Sequence, residues 1–397
     1  MRIVKIENLK ADAGWRPCSF LKVTTDEGMV GWSEYLEGWM ILGVTELIRQ
    51  FSGIVIGMDP REVGRITSTL QATTRVADSA VYRQAMAAIE NACLDIKAKA
   101  LGVPVYALFG GPFRETIPVY WSHCGSIRVQ RADYFEKELG RFPIRSLEDL
   151  KRLGKEVVSR GFKAIKTNPI FFDGPKPRMF SGGGRIGPGF LDRNIDDRFI
   201  GAITDQLAAF REGIGPHTGL AMDIHFAQRT EGYLRIAKAV EPFNLMWLEV
   251  DILDPEALAL IRRSTSAPIA SLEAIHGQRN YRPYFEASAV DLALVDELWN
   301  GVWESVRIAT LADAYEVDIT PHNWTGALGN LIGANLSAAV PNFRIMECEI
   351  DDIPWKNDFL THPPTIENGE LILPTGPGWG TEINEEAIRE HPPKERY

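Results

Sequence analysis

Asp223, Glu249 and Glu273 stand at or just beyond the ends of three apolar runs, GLAMD, LMWLE and APIAS, at intervals of about 25 residues. If those runs are adjacent parallel strands, the three carboxylates converge on one point. Bare carboxylates that close repel strongly in a low dielectric, so a cation must lie between them. Oxygen-only ligands favour Mg²⁺, which keeps positions open for water or substrate. The alternative is three unrelated loop acids or helix N-caps. Asp296 and His322 end the next two apolar runs, VDLALVD and EVDITPH. A carboxylate on one ring nitrogen fixes the tautomer and raises the basicity of the other, which makes His322 a candidate general base. A structural histidine satisfied by its neighbour is the competing reading. His225 lies two residues past Asp223, on the same side of an extended chain, and so offers a proton donor near the metal. Lys166 and Asn168 close FKAIKT, and Glu347 closes FRIME. His123, His217, His276, His362 and His391 have no comparable placement.

These residues need a frame of parallel strands. The marked runs are 117–124, 162–167, 219–223, 245–249, 267–271, 290–296, 316–322 and 343–347, each nearly continuous in apolar character, as a strand buried on both faces should be. Helical segments separate them, in the rhythm of a β/α barrel whose catalytic face lies at the strand C-termini. Residues 1–35 instead read as antiparallel strands with a turn at Asp26-Glu27-Gly28, and helical periodicity follows from Gly43 to Leu101, giving an α+β unit. The stretch 169–198 is too long and too rich in Gly and Pro for a simple βα loop. Its GGGRIGPG run lacks the GK[ST] of a phosphate-cradling turn and reads better as a substrate-covering or oligomer-contact loop.

With 397 residues, 45% hydrophobic and 24% charged, the chain has the makeup of a globular protein long enough for a barrel and an attached unit. The formal charge of −10 and the lack of any basic block argue against nucleic acid or an anionic membrane as partner. No apolar stretch approaches the ~20 residues of a membrane span, and charges interrupt MRIVKIENLK, so a cytoplasmic location is expected. Cys18, Cys93, Cys124 and Cys348 have no CxxC spacing and are expected as buried free thiols.

The series AAIENACLDIKAKALGVPVYALFGG, then Asp/Glu/Glu, then Asp and His, then PTGPGWGTEI resembles the mandelate racemase group of the enolase superfamily over essentially the whole chain. The resemblance implies an α+β capping domain (1–115), a (β/α)7β barrel (116–365) and a C-terminal segment (366–397) returning to the cap. It implies Asp223, Glu249 and Glu273 as Mg²⁺ ligands, Asp296-His322 as the base, Glu347 as a partner of the intermediate, and a small carboxylate substrate. A homo-oligomer is also implied. Lys166-Thr167-Asn168 in place of Lys-x-Lys, together with Asp223-Ile224-His225, looks like the galactonate dehydratase branch, where the histidine protonates the departing β-hydroxyl. The expected reaction is dehydration of an aldonic-type sugar acid to a 2-keto-3-deoxy acid. A racemase, epimerase or cycloisomerase working through the same enediolate is the alternative. Asn168 would bond a substrate oxygen. Gly14-Trp15-Arg16 and Glu37-Gly38-Trp39 are the segments able to close the barrel mouth, with Trp15 and Arg16 as candidate substrate contacts. Arg178 and Arg185 could serve the same purpose.

Overall fold

Three strands rich in Val, Thr and aromatic residues, Ile3–Asp12, Pro17–Thr25 and Val30–Tyr35, pair in sequence order as an antiparallel sheet in the computed structural model, which describes residues 1–38, 41–180, 195–226 and 228–395. Gly28 takes a φ of 80° in the turn between the second and third strands, a conformation costly for a residue with a Cβ. The helix Val44–Val55 buries Val44, Ile48, Phe51 and Val55, one stripe at helical spacing. The 22-residue helix Ala80–Leu101 is buried on nearly every side, because it lies between this sheet and the second half of the molecule. There Asn91 receives a bond from the Val302 amide (2.9 Å) and donates to the Glu297 carbonyl (3.0 Å).

Eight parallel strands follow: Thr116–Ser122, Ala164–Thr167, Gly219–Asp223, Trp247–Glu249, Ile269–Ser271, Leu292–Val295, Asp318–Pro321 and Met346–Glu349. Each pairs with the next along the chain up to the seventh, and the eighth pairs with the first. The ring closes between the seventh and eighth, where the Ile319 amide donates to Asn342 (2.7 Å) and the Arg344 amide to Ile319 (2.9 Å). Helices lie in every gap between successive strands, among them Asp197–Ile214, Val302–Asp313 and Ala327–Ala339, giving the (β/α)7β barrel. The expected runs match the strands closely, and 219–223 matches exactly as read. The last shifts from 343–347 to Met346–Glu349, because Asn342 and Arg344 are drawn into the closure with Ile319.

Side chains two residues apart on a strand share a face, so the barrel interior fills in layers. Tyr120, Ala164, Ala221, Trp247, Ala270, Leu292 and Leu294 form an apolar floor, with the Tyr120 and Trp247 rings 5.3 Å apart edge to face. Stepping two residues on from four of these positions reaches Ser122, Lys166, Asp223 and Glu249. These four polar residues therefore sit one layer above an apolar plug.

After the eighth strand, Glu370–Ile372 pairs antiparallel with the first barrel strand. The chain then packs on the N-terminal unit, where the Trp379 indole donates to the Trp32 carbonyl (2.8 Å). Within the 169–198 stretch, Ile170–Phe171 and Arg178–Met179 form a short hairpin with the Arg178 guanidinium 4.3 Å over the Phe171 ring. Residues 181–194, including the GGGRIGPG run and Arg185, lie outside the described residues, as does Trp39. All four cysteines are free and buried. Among the described residues no helix is long and apolar enough to cross a membrane.

Candidate active site

The strand ends bring most of the sequence-derived residues into one cluster. Lys166 rises from the second barrel strand and is 2% exposed, with its ammonium 3.1 Å from Glu249 and 3.0 Å from Glu347. Burial alone would lower its pKa, but the two carboxylates outweigh burial and hold it well above the usual lysine range. Glu347 is in turn pulled down to about 2, since Lys166, His322 and His123 overcome its burial. The Ser122 hydroxyl and the Asn323 amide (3.2 Å) both donate to it.

His322 is 7% exposed. Its Nδ1 lies 2.7 Å from Asp296 and its Nε2 3.1 Å from Glu273 and 3.8 Å from Glu347. Burial disfavours the imidazolium, yet Glu273, Glu347 and Asp296 together raise its pKa well above the ordinary histidine value. Asp296 is fixed from behind, because its other oxygen caps the turn Glu297–Asn300 by accepting from the Leu298 and Trp299 amides at 2.8 Å each. The Trp299 ring lies against His322 with centroids 5.2 Å apart, and stacks on its other side with His276 at 5.9 Å and 11°.

Across the cluster, the Asn168 amide donates to Asp223 (2.8 Å) and lies 3.3 Å from His225 Nε2. Ser126 donates to the Asn168 carbonyl oxygen (2.9 Å), which fixes the amide's orientation. His225 adopts a φ of 63°, and its backbone amide donates to Asp223 (2.7 Å), so the step past the strand end turns its ring beside that acid. A left-handed conformation at a non-glycine residue costs energy and recurs where side chains must be aimed.

The acids fit a cation. Glu249, Asp251 and Glu273 each direct an oxygen to within 4.8 Å of the others. Asp223 stands outside that group: it ends the neighbouring strand in register with Glu249, its charge acts on Glu249 and Asp251, and its own bonds go to Asn168 and the His225 amide. Burial and mutual repulsion push Glu249 and Asp251 well above the usual carboxylate range, the signature of a cluster with more negative charge than its neighbours neutralise. Asp251 went unread in the sequence, although the two-residue step that leads from Asp223 to His225 also leads from Glu249 to Asp251. His123 was also passed over. It follows the first barrel strand at a φ of 46°, with Nδ1 2.8 Å from Glu349.

The two cap residues separate. Arg16 reaches the barrel and donates to Asp352 (2.8 Å) and the Thr325 carbonyl (3.1 Å). Trp15 packs instead against Tyr134 and Phe135, with centroids 5.8 and 6.4 Å away, as part of the core between the N-terminal sheet and the segment after the first barrel strand.

Comparison with known proteins places this geometry. Residues 149–387 match the enolase C-terminal domain-like family, and residues 13–110 match the mandelate racemase / muconate lactonizing enzyme N-terminal domain. The chain is 28% identical over 391 residues to a D-gluconate dehydratase of Thermoproteus tenax, covering 96% of this chain and 71% of that one. It is 27% identical over 395 residues to a D-xylonate dehydratase of Haloferax volcanii, covering 98% and 88%. A Burkholderia xenovorans LB400 structure, provisionally named an L-alanine-DL-glutamate epimerase, is 42% identical with a TM-score of 0.95 over 100% of this chain and 99% of that one, and has also been solved with magnesium and fumarate. The two family matches cover the antiparallel cap and most of the barrel, and the chain belongs to the mandelate racemase / muconate lactonizing enzyme group of the enolase superfamily.

Proposed function

We propose that this chain is a Mg²⁺-dependent dehydratase of an aldonic-type sugar acid. The observation that carries the reading is the pair of histidines flanking one acid cluster: His322 held by Asp296 with its free nitrogen toward Glu273, and His225 held beside Asp223 and Asn168. The dehydratase relatives support the same reaction type.

Glu249 and Glu273, grouped with Asp251, would hold Mg²⁺ together with Asp223 from the adjacent strand end. Bound there, Mg²⁺ would neutralise the carboxylates and stabilise the negative charge that develops on the substrate's own carboxylate. His322 in its neutral form removes the proton from C2 through Nε2, with Asp296 on Nδ1 fixing the tautomer; Glu273, 3.1 Å from Nε2 in this structure, would have to turn to the cation for that nitrogen to accept. Lys166 adds a fixed positive charge against the growing enediolate, buried where its field is poorly screened. Glu347, paired with Lys166 and bonded by Ser122, keeps that ammonium in place. His225 gives a proton to the hydroxyl leaving C3. Asn168 orients a substrate oxygen and, as an amide, cannot act as a base. Loss of water and tautomerisation then give a 2-keto-3-deoxy acid.

Epimerisation through the same enediolate is the second reading, favoured by the name of the B. xenovorans neighbour. Proton NMR in D₂O with Mg²⁺ and a panel of aldonic and aldaric acids separates the two. New 3-deoxy signals that a chelator abolishes are expected. Deuterium entering C2 without those signals would replace dehydration with epimerisation.

A further inference from the structure

Beyond the acid cluster, on the side of the mouth where the eighth and first barrel strands meet, lies a second polar group that the chemistry above leaves unused. Arg16 is 3% exposed and spends Nη2 on Asp352 and Thr325, while its Nε and Nη1 are buried without a partner. Glu349 is likewise 3% exposed, with one oxygen 2.8 Å from His123 Nδ1 and the other, Oε1, buried without a partner. Buried polar atoms are rarely left unpaired, so an orphaned donor and an orphaned acceptor in one neighbourhood call for an occupant. The two belong together. Arg16 and His123 approach the same Trp324 ring, 5.9 Å and 6.5 Å from its centroid, and the Glu349 charge acts on the Arg16 guanidinium. Glu349 is also two residues beyond Glu347 on one strand, so the group stands one layer above the Lys166–Glu347 pair, toward the cap.

The chemistry of the occupant follows from the orphaned atoms. A hydroxyl accepts from a guanidinium and donates to a carboxylate at once, whereas a carboxylate only accepts and would confront Glu349. The surrounding charges also balance. Asp352 bonds both Arg16 and Lys356, the latter at 3.1 Å, and Glu349 pairs with His123, so each cation already faces an acid and a second carboxylate would meet the unpaired Glu349 oxygen. We propose that Arg16, His123, Trp324 and Glu349 form a distal subsite for a hydroxyl remote from the substrate's carboxylate, selecting aldonic over aldaric acids. The inference rests on the dehydratase reading and sharpens its substrate class.

The test compares kcat/KM for a six-carbon aldonic acid, its aldaric counterpart and an analogue lacking the remote hydroxyl, using full-length native protein, Glu349→Gln and Arg16→Met, all with Mg²⁺. Native enzyme should prefer the aldonate to the analogue lacking the remote hydroxyl by about 10⁴-fold, the scale on which a site built to bond a hydroxyl rejects a ligand without one, and to the aldarate by about 100-fold through like-charge repulsion at Glu349. Glu349→Gln keeps the shape and turns the orphaned acceptor into a donor, so the preference over the aldarate should fall at least ~10-fold. Arg16→Met should erase the preference for the remote hydroxyl. A ratio unchanged in Glu349→Gln, or native enzyme indifferent to aldonate and aldarate, overturns the subsite. Calorimetric titration of the same acids gives the same ratios without turnover. If no acid loses water or exchanges its C2 proton while binding still discriminates, the dehydratase reading falls and the subsite stands.

Discussion

A histidine's partner decides what its ring can do, and the two histidines at this site have different ones. His322 shares a proton with the anchored Asp296, whereas His225 leans on Asp223 and the Asn168 amide. Their proposed tasks separate experimentally. Substituting His322 by Asn should abolish both turnover and C2 exchange in D₂O, each by about 10³-fold. Substituting His225 by Asn should cut turnover by about 10²-fold while C2 exchange persists, because the proton still leaves and only the hydroxyl loses its acid. Equal loss of both signals in the two variants would mean that His225 serves proton removal as well. The residues legible in the sequence were those that end an apolar run. Asp251, His123 and Glu349 were not: Asp251 and His123 lie just past a strand end, where a two-residue step or a positive φ turns the side chain back toward the axis, and Glu349 ends a strand that runs two residues beyond its apolar stretch, none of which leaves a periodicity to read.

Elements were easier to read than their attachments. Continuous apolar runs revealed the barrel strands, since both faces of each are covered, and only the eighth slipped, where ring closure competes with local pattern. The sequence did not disclose how the cap grips the barrel. Glu34, from the third cap strand, is 2% exposed and accepts from the Gly326 amide (2.6 Å) and the Gly329 amide (2.9 Å), at the start of the helix Ala327–Ala339. A carboxylate there satisfies two open amides and complements the helix dipole. A Cβ at Gly326 would stand 2.5 Å from the Glu34 oxygen, so glycine is required for this close approach. The clasp steadies the loop from His322 to Thr325. Glu34→Ala should therefore lower stability by about 1–3 kcal/mol in urea melts, and should reduce kcat more than Glu34→Gln, which retains one acceptor. Full stability in Glu34→Ala would show that the helix start is satisfied by other means.

For the molecule as a whole, the joint between its halves carries ionisable groups away from water. Glu90, on the long cap helix, is 3% exposed and accepts from the Trp303 amide (2.8 Å) at the start of the barrel helix Val302–Asp313. Burial and the nearby Glu304 push its pKa up to about 8. The folded protein therefore holds this proton more tightly than the unfolded chain. Its contribution to stability is complete below about pH 4.5, declines as pH rises, and is lost above pH 8. Glu90→Gln should flatten that dependence, sparing on the order of 3 kcal/mol of the native loss between pH 5 and pH 8. Parallel pH profiles for native and variant would refute it. The apolar floor has a consequence of a different kind. With Tyr120 and Trp247 packed edge to face among the apolar residues beneath Lys166, the floor of the barrel is closed by side chains among the described residues. On the proposed mechanism, a proton taken by His322 would exchange with solvent through the mouth, so the rate of isotope wash-out would serve as a clock for the opening of the mouth.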